Sequence, residues 1–179
     1  MSDKNVGPGR PTASEYHEFY DTYVSKVPEG DIFKILGAGL EETLALLKDL
    51  PEDRETFAYE SGKWTVREVL GHMVDTERLF GFRALWMARG DQQGQPGMDQ
   101  DAWNAVSTAN ERSVADHLEE LALVRRSNLA MFRGFDDECW KRIGNASGFP
   151  FAVRAFPFIL AGHEIHHRQV LAERYLADG

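Results

Sequence analysis

Hydrophobic residues recur at helical spacing in four long stretches of the chain, and polar segments separate these stretches. The pattern predicts helices over about 31–49, 65–89 and 111–133, and a fourth helix that begins between 147 and 153 and runs to about 176. In the first stretch the apolar positions are Ile32, Ile35, Leu36, Leu40, Leu44 and Leu47. Four amphipathic helices of this length predict an all-α fold in the form of a four-helix bundle.

Residues that start or stop helices mark the same boundaries. Asp31 can cap the first helix, and Thr65 with Glu68 three residues later forms a capping box ahead of the second. Gly90 follows the second stretch and is expected to end it. Pro157 would kink a helix that was already running, or else lie in its first turn.

Two segments lack a helical period. Residues 1–14 are rich in Gly, Pro and Ser and are predicted to form a flexible leader, so the bundle domain is predicted over 15–179. Residues 90–104 are polar and glycine-rich, which predicts a long loop that could border a pocket. The sequence shows no internal repeat and no long strand with a period of two, so it gives no indication of a second domain.

Composition narrows the class of function. The 179 residues are the size of one domain, and the formal net charge of -9 argues against nucleic-acid binding, which needs clustered Lys and Arg. The single cysteine, Cys139, excludes an internal disulfide. The N-terminus lacks the apolar core of a signal peptide, and no stretch approaches the roughly 20 apolar residues of a membrane span. We therefore expect no membrane partner and a cytoplasmic location.

The strongest chemical pattern is the run GHEIHHR at 162–168. Residues four apart on a helix project from the same side, so His163 and His167 could share a metal ion, although a solvated helix face would carry the same pair. A stable site needs a third ligand, and His72 lies on the core-facing stripe of a different predicted helix. We predict a site for one divalent transition metal ion at His72, His163 and His167, with His166 supporting the ligands from outside.

Two carboxylates beside these histidines are candidate catalytic residues. Asp75 follows His72 by three residues on the same helix face, where it could orient an imidazole or complete a mixed site. An ion pair with Arg78 is the alternative for Asp75. Glu164 adjoins His163 and could carry a proton, and a solvated position is its alternative.

Other interpretations of the histidines are weaker. The run at 163–167 fits the HExxH pattern of zinc metalloproteases, but the extended pattern fails because Val170 stands where a glycine is needed. His117 is expected to be a surface or boundary histidine, and His17 lies close to the predicted leader.

Two segments around the histidines resemble the DinB-like superfamily, a group of helical bundles that includes YfiT-like metal-dependent hydrolases. They are KWTVREVLGHMVDTER at 63–78 and AFPFILAGHEIHHR at 155–168. The resemblance spans most of the chain and implies His72, His163 and His167 as ligands. It also implies an up-down-down-up helix order, a homodimer, and a site for nickel or zinc, with iron or manganese as alternatives.

Three imidazoles leave at least one coordination position open, as is typical of catalytic rather than structural sites. A metal ion lowers the pKa of water or of a thiol and so makes a nucleophile near neutral pH. We therefore predict a metal-dependent hydrolase or thiol S-transferase that acts on a small-molecule substrate, with a low-molecular-weight thiol as a candidate partner. The alternative is a non-catalytic metal-binding or stress-response module, which a further protein ligand would favour.

Overall fold

The computed structural model describes residues 7–177, which form the predicted four-helix bundle. Its helices and strands are α1 (Asp21–Val24), α2 (Ile32–Leu47), α3 (Val66–Ala88), α4 (Gln100–Ala105), α5 (Val114–Arg133), α6 (Asp137–Lys141), β1 (Ile143–Ala146), β2 (Phe149–Ala152) and α7 (Ala155–Val170). A π-helical turn, Leu171–Tyr175, continues α7. Within the described residues, no helix combines the length and apolarity needed to cross a membrane.

The long helices begin where the capping residues predict. The Asp31 side chain accepts a hydrogen bond from the backbone N–H of Phe33, and Thr65 with Glu68 forms both halves of a capping box at the start of α3. Pro157 lies in the first turn of α7, where the missing N–H leaves no helical hydrogen bond unmade. The predicted bounds of α2, α3 and α5 are thus correct to within about three residues.

A short β-hairpin precedes α7 and was absent from the sequence prediction. Ser147 and Gly148 join strands β1 and β2 with φ angles of 56° and 84°, the backbone that a two-residue type I′ turn requires. Each strand has four residues, too few for a clear period of two, and the predicted start of the fourth helix at 147–153 therefore overlaps the turn and β2. The helix instead begins at Ala155.

Two predicted irregular segments also differ in the structure. The predicted loop 90–104 ends in helix α4, which Asp99 caps by accepting from the N–H of Ala102. Gln95, earlier in that loop, exchanges backbone hydrogen bonds with β1 and the hairpin turn. In the predicted leader, residues 1–6 lie outside the described residues. Residues 7–14 pack on the bundle rather than extending from it, since Arg10 donates to the backbone carbonyls of Val24 and Val27 at 3.0 and 2.6 Å.

The arrangement of the bundle places α3 and α7 side by side. Helix α3 packs mainly against α5 and α7, and α2 packs mainly against α7 and α5. The apolar core falls into two clusters, one beside α6 and the hairpin and one beside the π-helical turn. A layer of buried polar side chains lies between these clusters.

The centre of this layer is the guanidinium of Arg125 on α5, which is 1% exposed. It pairs with Glu77 of α3 and with Glu164 of α7, and it donates to the backbone carbonyl of Leu36 of α2 at 2.7 Å. Thr43 of α2 donates to the second oxygen of Glu164 at 2.9 Å. Burial by itself would lower the pKa of Arg125, but the two carboxylates more than offset this and raise it. All four long helices therefore meet at one buried charge.

Two glycines make room for this network. A Cβ atom at Gly39 would lie 2.8 Å from a carboxylate oxygen of Glu164, and one at Gly81 would collide with the side chain of Asn128. Asn128 in turn donates to Glu77 at 2.9 Å. The close approach of helix backbones to buried polar groups thus requires glycine at both positions.

We predict that Arg125→Ala lowers the free energy of unfolding by about 3–5 kcal/mol, because it leaves two carboxylates buried without a cation. Urea unfolding at pH 7 would measure the change. The matched control is Arg126→Ala, since Arg126 is the next residue and is exposed, and we expect a change within about 0.5 kcal/mol there. Equal stability of the two variants would contradict a structural role for the network.

Candidate metal centre

The structure brings His72 of α3 together with His163 and His167 of α7. The Nε2 atoms of His72 and His163 are 3.0 Å apart, and so are those of His163 and His167. One ring nitrogen from each side chain lies within 4.8 Å of the other two. Two nitrogens bound to one tetrahedral zinc ion would be roughly 3.3 Å apart, since each Zn–N bond is about 2.0–2.1 Å. The spacing of the three rings therefore fits a single ion.

Burial sets the charge state of these rings. His72 and His163 are 6% and 5% exposed, and His167 is partly buried. Burial lowers the pKa of His72 to about 4 and that of His167 to about 3. The pKa of His163 is also well below its usual value, first because of burial and then because of the neighbouring rings. At pH 7 all three imidazoles are neutral, which is the form that offers a lone pair to a metal ion.

Asp75 lies beside the cluster but outside it. The carboxyl is partly buried and lines a small crevice of about 10 Å³ next to His72. Burial raises the pKa of Asp75, and the charge of Arg78 opposes this in part. Arg78 itself pairs with Glu120, so the alternative ion pair between Asp75 and Arg78 does not form. Among residues 7–177, Asp75 is therefore a carboxyl without an ion-pair partner, next to a candidate ligand.

Glu164 lies in the Arg125 network rather than at the histidine cluster. Its two oxygens accept hydrogen bonds from Thr43 and Arg125, and it is buried, so the alternative of a solvated position is wrong. Glu164 is the residue that would be catalytic in the HExxH pattern, and in this structure it connects α7 to α2 and α5 instead. Glu77, to which the sequence assigned no role, is the other carboxylate of the same network.

The remaining histidines lie outside the cluster. The His166 ring is centred 5.0 Å from that of His167 and 5.6 Å from that of Tyr23. His117 is buried, which corrects the expectation of a surface or boundary position, and its Nε2 lies 3.0 Å from the carbonyl oxygen of Ala109. His17 caps a short turn near the N-terminus. None of the three joins the group of converging nitrogens in the described part of the chain.

Two cavities border the cluster on different sides. One, of about 340 Å³, reaches His72 and His163 and is lined by aromatic side chains at 19–23, by α3 and by loop residues 97–100. The other, of about 460 Å³, reaches His166 and His167 and is lined also by Tyr59, Trp64 and Tyr175. The predicted loop 90–104 therefore does border a pocket. The aromatic wall at 19–23 was not identified from the sequence, because it lies outside the long periodic stretches.

Comparisons with known proteins agree with this architecture. The solved structure of YfiT from Bacillus subtilis superposes with a TM-score of 0.70 at 18% sequence identity, covering 94% of this chain and 92% of that chain. YfiT is described as a probable metal-dependent hydrolase with an unusual four-helix bundle topology. At this identity the likeness shows a shared fold. No curated protein sequence gives a significant match.

A family model covers the part of the chain that holds the site. The model described as the DinB superfamily matches residues 36–171. This range includes all of α3, α5 and α7, most of α2 and the three converging histidines. The match extends over well more than half of the sequence, and the chain belongs to the DinB superfamily.

Proposed function

We propose that this protein is a metal-dependent enzyme in which His72, His163 and His167 hold one divalent transition metal ion. The observation that carries the proposal is the convergence of three buried, neutral imidazoles beside two cavities. Imidazole ligands suit nickel and zinc, with iron or manganese as alternatives. Within residues 7–177 no fourth His, Cys, Asp or Glu joins the group, and this supports an enzyme over a non-catalytic metal-binding or stress-response module.

The chemistry of such a site divides between the ion and the chain. When bound, the ion would supply Lewis acidity, which activates water or a thiol near neutral pH and polarises a carbonyl group. An ion held by these rings would face the two cavities that border them. Asp75 holds a proton to a higher pH than an exposed aspartate and could transfer it at its carboxyl oxygen beside His72.

Hydrolysis of an ester or amide of a small molecule is the reaction that this site supports best, and the description of YfiT favours the same class. Transfer of a low-molecular-weight thiol is the second candidate. It is favoured by the cavity beside His167, because a transferase needs room for two reactants at one centre.

To test the reaction, zinc- or nickel-loaded protein would be assayed with nitrophenyl esters and anilides, and with cysteine plus an aryl chloride. We expect the turnover rate to fall at least about 100-fold in His163→Ala, because the contribution of the ion is removed. Asp75→Asn should lower kcat by about 100-fold or more if its proton is used. Release of nitrophenol or nitroaniline without thiol identifies a hydrolase, and consumption of thiol identifies a transferase. No metal-dependent turnover in either assay would favour the non-catalytic module.

We predict that His72→Ala abolishes tight metal binding as fully as His163→Ala or His167→Ala, although His72 is on a different helix. Losing any one ligand leaves two imidazoles, too few for a stable site. The parent should bind close to one ion per chain, and isothermal titration with zinc or nickel would measure this. His117→Ala is the matched control, since this buried histidine lies outside the cluster.

The variant His166→Ala tests whether the metal site is shared between α3 and α7 or confined to α7. Its ring touches that of His167 without joining the cluster, so we expect at most about a tenfold loss of affinity. If His166→Ala loses the metal while His72→Ala binds it like the parent, the site is confined to α7 and the three-histidine assignment is wrong.

The metal-free protein should lose stability in acid. Unfolded histidines titrate near pH 6.5, whereas His72 and His167 in the folded chain titrate near 4 and 3. Between these values the unfolded chain binds more protons, so the free energy of unfolding falls as the pH is lowered from about 6.5 to about 4. Thermal unfolding of chelator-treated protein at several pH values would show the slope.

The double variant His72→Gln, His167→Gln should flatten this pH dependence, because it removes two of the buried rings. The control is His17→Gln, which lies outside the cluster and should leave the slope unchanged. An equal slope in the parent and the double variant would show that the cluster does not cause the acid sensitivity.

A further inference from the structure

The cavity beside His72 and His163 has an unusual charge. The sequence holds 29 acidic residues against 20 Lys and Arg, yet no Asp or Glu lines this cavity within the described residues. Its one Lys or Arg side chain among those residues is Arg83 of α3. The cavity is therefore positive inside a protein that is negative overall, and an ion at the three histidines would add to that charge.

Arg83 is buried without a carboxylate partner. The side chain is 2% exposed, and no Asp or Glu between residues 7 and 177 forms an ion pair with it. One guanidinium nitrogen donates to the carbonyl oxygen of Pro96 at 2.5 Å, but the Nε atom is buried with no acceptor in the described chain. Buried charges are ordinarily paired, as Arg125 is. The Tyr20 side chain also interacts with the guanidinium, but Nε remains a donor without an acceptor among the described residues.

A second unused donor lies on the same helix face. The hydroxyl of Thr76 also lines the cavity and is buried without a hydrogen-bond partner among the described residues. His72, Thr76 and Arg83 follow one stripe of α3. At 1.5 Å rise per residue, His72 and Arg83 are about 16 Å apart along the axis. Because helical side chains lean toward the N-terminus, the Arg83 side chain shortens that gap.

We propose that this cavity binds a small carboxylate-bearing substrate, with its carboxylate on Arg83 and Thr76 and its reacting group toward His72 and His163. The planar fork of a guanidinium matches a carboxylate, and the apolar body of the substrate would lie against Tyr20 and the neighbouring aromatic wall. The substrate class rests on the proposed function for its chemistry. Binding of the carboxylate, by contrast, needs only residues of the chain and no metal ion.

A purely structural role for Arg83 makes a different prediction. Its bond to Pro96 holds the loop over the cavity, and its guanidinium also lies 5.3 Å from the ring centre of Phe80. If these contacts were its whole role, loss of Arg83 would weaken charged and neutral ligands alike. Only recognition of an anion makes the affinity depend on the charge of the ligand.

The test compares phenylacetate, 3-phenylpropionate and 4-phenylbutyrate with their primary amides, which match them in shape. Dissociation constants would be measured by titration for metal-free and zinc-loaded protein. We expect at least one acid to bind about tenfold or more tighter than its amide in both forms, as a charge-assisted pair should. Arg83→Met should remove this difference, and Arg83→Lys should keep part of it.

The matched control is Arg89→Met, because Arg89 lies on the exposed end of the same helix and does not line the cavity. It should keep the full preference for the acid. Thr76→Val should weaken the acid more than the amide. Circular dichroism would check the fold of each variant, and the comparison of acids with amides on the parent protein is decisive even if Arg83→Met does not fold.

Two results would overturn the inference. One is the absence of any acid preference in the parent across all three pairs. The other is a preference that survives Arg83→Met in either form of the protein, since the carboxylate would then bind the ion or another group of the chain. Failure of the proposed function is a separate result, because absence of zinc-dependent turnover leaves the acid preference of metal-free protein intact.

Discussion

The bundle depends on the burial of one positive charge. Arg125 is stable in the core only while Glu77 and Glu164 reach it from two other helices, because an unpaired charge in that environment is very unfavourable. This requirement fixes how α3, α5 and α7 slide and rotate against one another. Glu164 follows His163 directly on α7, and Glu77 lies little more than one turn beyond His72 on α3. The pairing that aligns the helices therefore also sets the distance between the first and second candidate ligands.

The histidine cluster and the charged network form one polar layer with two tasks. On one side a cation is supplied by the chain and satisfied by carboxylates. On the other side three neutral rings converge, each with a lone pair that could bind a metal ion or accept a hydrogen bond. Apolar clusters on both sides bury much of the layer, and this burial keeps the rings of His72 and His163 neutral. The same burial thus keeps the candidate metal ligands neutral and encloses the ion pairs of the Arg125 network.

Local signals in the sequence predicted much of this arrangement. Periodicity and caps such as Asp31 and Thr65 located the long helices, and the spacing of His163 and His167 with the inward stripe through His72 indicated the triad. The Arg125 network could not be predicted, because charged residues in a helix are usually solvated and its partners are far apart in sequence. The hairpin was missed because four-residue strands give no reliable period.

Helix α3 carries His72 near its start and Arg83 near its end, on one unbroken run of backbone hydrogen bonds. The distance between the two positions is therefore set by the helix and not by loops. It limits the length of any ligand that would contact both residues. Changes in the cavity wall can alter which shapes fit without altering that length. Inserting one residue between them would add only about 1.5 Å yet turn Arg83 by about 100° around the axis. The width of the cavity can therefore change with its side chains, whereas its length between these two positions is set by the helix.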